Sequence, residues 1–343
     1  MLKPMMKSGA LKNREGFREA LADWFSQNGK DYPWRRTKDA YAVLISEVML
    51  QQTQIATVLG RGFYTRFLET FPDVESLAAA EDERLLKAWE GLGYYRRVRM
   101  LRETARAVIA EHGGEFPTEL EALMKLPGVG RYTAGALRAF AFDLSSAVVD
   151  GNVARVLSRV MDFSAPVDDT SGNKQMWEWA EALADPQRPR IYNSALMELG
   201  QTICRPGVPD CLSCPVASFC KTREPENLPV KRQKTTVTQV DEHALWLRDG
   251  DGRLLLHREG GKRREGLWKL PTRDAAEISN LPVLDEHRYT ITRYRVMLRV
   301  HDASGLKRFK TADGEVWQEA EAVLALAMPS PFRRVIERLL GEN

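Results

Sequence analysis

Two acids and four thiols stand where they could do chemistry. Glu47 sits in Val43-Leu44-Ile45-Ser46-Glu47-Val48-Met49-Leu50, with apolar residues on both sides. Desolvation disfavours a carboxylate anion, so a carboxyl in such surroundings is driven toward its neutral form and holds a proton to give. An exposed helix glutamate would need no such explanation, and the local sequence leaves that reading open. Asp150 follows Ala147-Val148-Val149 and opens Asp150-Gly151-Asn152-Val153. By itself an Asp-Gly pair is usually a turn or a helix cap. The thiols form Cys204-x6-Cys211-x2-Cys214-x5-Cys220, and the rest of the chain has no cysteine. A disulfide framework would spread its cysteines through the fold. Four thiolates in one loop suit zinc or an iron–sulfur cluster. Only one pair is as close as zinc knuckles favour, and the spacing is not a ferredoxin one.

A third feature could hold an anion. In Leu126-Pro127-Gly128-Val129-Gly130-Arg131-Tyr132 the proline ends a helix and the two glycines permit a tight hairpin that needs positive φ. Backbone N–H groups of such a hairpin, at a helix N-terminus, can grip a phosphate. A plain helix–helix turn explains the same residues equally well.

These residues need elements to position them. Phe17, Leu21, Trp24 and Phe25 recur at helical spacing, and 40–59, 76–90, 94–112, 118–125, 133–142, 152–160, 173–184 and 191–203 read as further helices. Lys221 to Gln239 is polar, basic and proline-bearing, as linkers are. Beyond it, His243–Leu247 and Arg253–His257 flank Asp249-Gly250-Asp251-Gly252 as a hairpin would. Tyr289 to Val300 alternates as one longer strand, and 331–340 closes as a helix. The expected architecture is therefore multidomain: an all-α domain over 1–222, a linker over 223–240 and a small α+β domain over 241–343.

Composition bounds the partners. The chain has 343 residues, 43% hydrophobic and 28% charged, with a formal net charge of +3. That permits nucleic acid without demonstrating it. No apolar run could span a bilayer, and the basic stretch Met1 to Glu15 does not read as a signal peptide. A cytoplasmic, nucleoid-associated monomer is expected.

Taken together, these motifs resemble the endonuclease III and MutY superfamily of DNA glycosylases over nearly the whole chain. The hairpin at Gly128 and Gly130, the Asp-Gly at Asp150 and the cysteine spacing are similar to that superfamily, which implies a helix-hairpin-helix domain with a [4Fe–4S] cluster on Cys204, Cys211, Cys214 and Cys220. Glu47-Val48-Met49-Leu50-Gln51-Gln52-Thr53 resembles the MutY adenine glycosylases, as do Pro33-Trp34-Arg35-Arg36, Gly91-Leu92-Gly93-Tyr94-Tyr95 and Asn193 to Gly200.

The resemblance implies excision of adenine mispaired with 8-oxoguanine or guanine from double-stranded DNA, in base excision repair. Glu47 would protonate the base and Asp150 would stabilise or capture the sugar cation, supported by Tyr132 and Asn152. Gln52 and Tyr95 would wedge into the duplex as adenine flips out. Trp34, Arg35 and Glu198 would line the adenine pocket. The Arg96–Arg106 stretch would lie along phosphates, although a solvated arginine face fits it equally.

Tyr132 stands where endonuclease III-like enzymes carry a lysine nucleophile, so no Schiff base can form there and a monofunctional enzyme is expected. Gly266-Leu267-Trp268-Lys269-Leu270-Pro271 resembles the Nudix-like domain with which MutY reads 8-oxoguanine. Where MutY presents Phe-Ser-His on a strand, this chain has Ile291-Thr292-Arg293, leaving Thr292 and Arg293 to contact the base or a phosphate. An endonuclease III-like glycosylase/lyase is disfavoured by Glu47 and Tyr132, and a non-catalytic DNA-binding iron–sulfur protein by Glu47 and Asp150 together.

Overall fold

Asp39 starts the helix that matters most. Its carboxylate accepts from Tyr41 N and Ala42 N at the head of helix Ala40–Leu50, and every residue from Tyr41 to Met49 is buried. A helix apolar on all sides belongs in the middle of a core. The computed structural model describes residues 11–232, 236–261, 264–278, 280–306 and 309–341. Most of the basic N-terminal stretch and residues 233–235 of the expected linker lie outside the described residues.

Chain contacts gather into two compact units, residues 1–51 with 107–233 and residues 52–106 with 234–343. Helices between Gln52 and Arg106 fall in the same unit as the strands. Linker composition marks where the chain is polar, not which surfaces it joins.

The first unit is helical. Phe17, Leu21, Val156, Leu157, Val160, Met176, Trp177, Leu196 and Leu199 share one buried cluster, contributed by helices Arg14–Asn28, Gly151–Met161, Thr170–Leu183 and Pro189–Thr202. Two helices approach closely at one point. A Cβ on Gly200 would lie 2.7 Å from Asn152 Cβ, so only glycine lets the backbone of Pro189–Thr202 seat against the head of Gly151–Met161. Helix Arg131–Ala136 continues through a π-helical turn, Leu137–Ala141.

The second unit combines helices Ile55–Gly60, Phe63–Thr70, Val74–Ala78 and Asp82–Ala88 with an α+β region. Its strands are β1 (Thr238–Trp246), β2 (Leu254–Arg258), β3 (Trp268–Lys269), β4 (Thr272–Arg273), β5 (Val283–Ile291), β6 (Tyr294–Asp302) and β7 (Glu315–Gln318). They form a sheet of order β4-β1-β6-β5 and another of order β3-β2-β7. Phe332, Val335, Ile336 and Leu339 of helix Ser330–Gly341 join Ala244, Trp246, Leu254, Leu256, Leu298 and Val300 in its core.

Four expected elements are corrected, the first being the helix over 76–90, which is two, Val74–Ala78 and Asp82–Ala88. The helix over 40–59 breaks after Leu50, because Gln52 adopts φ 58, and resumes at Ile55; no glycine or proline marks the break, so apolar periodicity ran through it. The strand over Tyr289–Val300 is two strands, β5 and β6, joined at Thr292-Arg293. A two-residue turn preserves the alternation and hides itself in the pattern. The hairpin at 249–252 pairs only through the bridge Arg248↔Leu254, after which β1 and β2 enter different sheets.

Candidate active site and thiol loop

Glu47 is 5% exposed, on the third turn of its apolar helix. Burial pushes its carboxyl up to about 7; the Tyr132 hydroxyl, which donates to it, and the Arg35 charge pull the other way, and the Asp150 charge pushes with burial. Tyr132 is itself held well above its ordinary range by burial, with Glu47 and Asp150 adding to the effect. Three elements distant in sequence thus bring Glu47, Tyr132 and Asp150 together. A charged neighbour in a dry site adds to burial in holding the Glu47 proton.

Asp150 is also an N-cap. One carboxylate oxygen accepts from Val153 N at 2.7 Å and the other from Asn152 Nδ2 at 2.8 Å. The ordinary reading of Asp-Gly as a cap therefore holds, and the same two bonds fix the carboxylate beside Glu47. Asn152 is fixed in turn: its Oδ1 accepts from Arg155 Nη2 at 2.9 Å. That guanidinium also donates to the carbonyls of Gly200 at 2.7 Å and Cys204 at 2.8 Å. Arg155 and Arg159 lie outside the residues expected to matter. Sequence offers no signal for them beyond basic residues on a helix face that is otherwise apolar.

Trp34 is buried and stacks on Tyr32 with ring centroids 5.2 Å apart. Arg35 donates to Glu198 Oε2 at 2.8 Å and lies over the rings of Tyr32 and Phe25. Glu198 is fully buried, and among the described residues its Oε1 has no hydrogen-bond partner, Lys30 standing 3.9 Å away. An unpartnered oxygen in a buried carboxylate is costly unless something donates to it. In the Gly128–Gly130 hairpin only Gly128 has positive φ, 76°; Gly130 is extended and caps helix Arg131–Ala136 with no side-chain hydrogen bond.

The expected wedge residues lie in the second unit. Gln52 is exposed at φ 58. Tyr95 is not available: it is 5% exposed and its hydroxyl donates to the Met328 carbonyl at 3.0 Å. Tyr94 is the exposed ring, 46% exposed at φ 49, with the Arg97 guanidinium over it. Adjacent tyrosines look alike in sequence, and only packing separates them. Arg97 Nη2 reaches Thr53 Oγ1 at 3.4 Å and the Gly93 carbonyl at 3.2 Å, so the two left-handed turns at Gln52 and Tyr94 are pinned side by side. The other arginines of 96–106 are mostly committed internally. Arg102 pairs with Asp82 at 2.6 Å, Arg99 donates to the Glu265 carbonyl, and Arg106 bonds the Ala78 carbonyl. Thr292, at φ 53, and Arg293 occupy the β5–β6 turn rather than a strand, with Arg293 lying over Tyr294.

The four cysteines are free thiols on a loop of the first unit that follows helix Pro189–Thr202. Arg159 braces it, donating to Cys204 Sγ at 3.3 Å and to the carbonyls of Arg205 at 2.8 Å and Gly207 at 3.0 Å. Burial raises the Cys214 thiol to about 11, and the charges of Cys204, Cys220 and Cys211 act in the same direction. The thiols share one neighbourhood, yet among the described residues no three metal-binding side chains close on a point as ligands of a single ion.

Residues 45–182 match the model of the HhH-GPD superfamily base excision DNA repair proteins. The adenine DNA glycosylase of Homo sapiens is 48% identical over 217 residues, 61% of this chain and 39% of that protein. This chain therefore spans about two fifths of that relative's length. The adenine DNA glycosylase of Buchnera aphidicola subsp. Baizongia pistaciae is 26% identical over 95% of this chain and 97% of its own. Among solved structures, a thermostable thymine-DNA glycosylase superposes with a TM-score of 0.55 and 31% identity, over 61% of this chain and 95% of that one.

Proposed function

We propose that this chain is a MutY-type member of the HhH-GPD superfamily of base excision DNA repair proteins, and that it hydrolyses the N-glycosidic bond of adenine opposite 8-oxoguanine or guanine in duplex DNA. The observation that carries this reading is the pairing of Glu47, raised to about 7, with the Asp150 carboxylate across Tyr132. Glu47 protonates the departing adenine, which turns a poor leaving group into a neutral base. Asp150, held by Val153 N and Asn152, stabilises the oxocarbenium-like sugar or bonds to it transiently, and water completes the hydrolysis. Glu198 Oε1, buried and without a donor among the described residues, is suited to accept from the exocyclic amine of a flipped adenine, with Trp34 and Arg35 beside it.

Gln52 and Tyr94 are the side chains placed to enter the base stack, Tyr95 serving as their support. Tyr132 offers no amine, so the product is an abasic site and the strand stays intact. Residues 1–222 carry the chemistry, 223–240 link, and 241–343 form a Nudix-like region that reads the opposite base through Thr292 and Arg293. Cys204, Cys211, Cys214 and Cys220 would hold a [4Fe–4S] cluster, which when bound would cross-link the loop through four thiolate–iron bonds. Visible absorbance near about 400 nm in the purified protein is the expected sign, and colourless protein with stoichiometric zinc would refute it. No helix among the described residues is long and apolar enough to cross a membrane, and we place the enzyme on DNA in the cytoplasm, as a monomer.

The test is a panel of duplexes carrying 8-oxoguanine:A, G:A and thymine-glycol:A. Free adenine should be released from the first two. Release of thymine glycol alone would move the protein to the endonuclease III-like class.

A further inference from the structure

Glu90 is the acid at the centre of a basic cavity in the second unit, and its charge is already spent. Its Oε1 accepts from Arg333 Nε at 2.8 Å and Met328 N at 3.2 Å, and its Oε2 accepts from Lys87 Nζ at 2.8 Å. Lys87 and Arg333 also donate to the carbonyls of Leu324 and Leu326. Those two cations therefore have structural work. Around them opens a cavity of about 640 Å³, also lined by Arg61, Arg66 and Arg334. These three guanidinium groups make no ion pair among the described residues; Arg66 only lies over the Phe63 ring. Glu337, the other acid on the wall, is 54% exposed and 4.0 Å from Arg333.

The backbone adds to the excess of positive charge. Helix Phe63–Thr70 starts at the cavity, capped by Gly62 with no side-chain bond and no acid in its first turn. Helix Ser330–Gly341 also starts there, likewise without an acid in its first turn. Helix starts normally attract acids, because their N–H groups and dipoles favour negative charge. Here two helix starts and three arginines without an ion pair among the described residues line one space.

We propose that this cavity is a phosphate-binding site, distinct from the Glu47–Asp150 centre, in which Arg61, Arg66 and Arg334 hold a phosphate group between the two helix starts. Guanidinium forks and helix N-termini are the groups that recognise phosphate oxygens. The phosphate belongs either to a nucleic-acid backbone or to a free phosphate compound. The first source rests on the function proposed above, and the second does not.

The experiment uses the full chain and the double variant Arg61→Gln, Arg334→Gln, with Arg61→Lys, Arg334→Lys as a control that keeps the charge. Both sites are exposed, so folding should survive. Two readouts are taken: thermal protection by inorganic phosphate against chloride at matched ionic strength, and the salt dependence of binding to a short undamaged duplex. A backbone source predicts that the Gln variant loses about one unit of slope in log affinity against log salt for each phosphate released. A free-phosphate source predicts that phosphate protects wild type and not the Gln variant, with duplex binding unchanged. If the Gln variant matches wild type in both readouts, the site does not exist. Neither readout depends on excision, so loss of the adenine reading would leave this test standing.

Discussion

Arg155 and Asn152 are bonded at 2.9 Å, and the same guanidinium grips the carbonyl of Cys204. A short polar chain therefore runs from the thiol loop through Arg155 and Asn152 to the Asp150 carboxylate. Arg155 is 7% exposed, so its acceptors, which include the Gly151 carbonyl, have little water to replace it. Arg155→Gln should slow excision by about 10-fold or more through misplacement of Asp150. It should also cost on the order of 2–4 kcal/mol of stability through unmet acceptors. Arg155→Lys should rescue little, since one ammonium cannot span the fork. Single-turnover rates and thermal melts check both; a Lys variant equal to wild type would show that the bridge is not needed.

Gly200 sets the other side of that bridge. Gly200→Ala places a methyl 2.7 Å from Asn152 Cβ and must push the amide away from Asp150. Excision should fall while the melt drops by the 1–3 kcal/mol typical of overpacking. A drop in stability with an unchanged excision rate would mean that the position of Asn152 does not matter.

The rate of excision should follow the Glu47 proton. Because burial raises this carboxyl to about 7, the acid form is present below that pH and excision should decline as pH rises through it. The Tyr132 bond lowers Glu47, so Tyr132→Phe should move the midpoint upward. Stability has the same sign. The folded state holds the proton more tightly than the unfolded one, so stability falls as pH rises from the ordinary carboxyl range through about 7. Glu47→Gln should remove that dependence, gaining on the order of 2–3 kcal/mol over wild type at high pH. Melts across pH that stay parallel for the two proteins would contradict a buried, proton-holding Glu47.

Thr292 is a β-branched residue at φ 53 in a hairpin turn, a conformation that costs about 1 kcal/mol or more. Thr292→Gly should stabilise the protein by roughly that amount and narrow the preference for 8-oxoguanine:A over G:A. If the preference stays while stability rises, the strain serves no reading of the opposite base. Removing residues 241–343 is a poorer test, because Tyr95, Lys87 and Arg333 tie that region to helices 52–106.

Much of the site was legible because its parts have local signatures: apolar flanks around Glu47, Asp-Gly at Asp150, a compact run of thiols. Their convergence follows only from packing. Tyr94 and Tyr95 are equivalent in sequence and opposite in structure, since only one finds the Met328 carbonyl. The Gln52 break was invisible because an apolar pattern records burial and not backbone handedness. Arg99, Arg102 and Arg106 could have been a phosphate surface or a solvated face and instead tie elements together, whereas Arg61, in a Gly-Arg-Gly turn, makes no ion pair among the described residues.

The central claim is that a buried proton on Glu47 removes the base. Glu47→Gln preserves shape and, with the acid neutral, preserves charge, so duplex binding should stay close to wild type while single-turnover release of adenine from 8-oxoguanine:A is abolished. Near-wild-type release by Glu47→Gln would contradict the account.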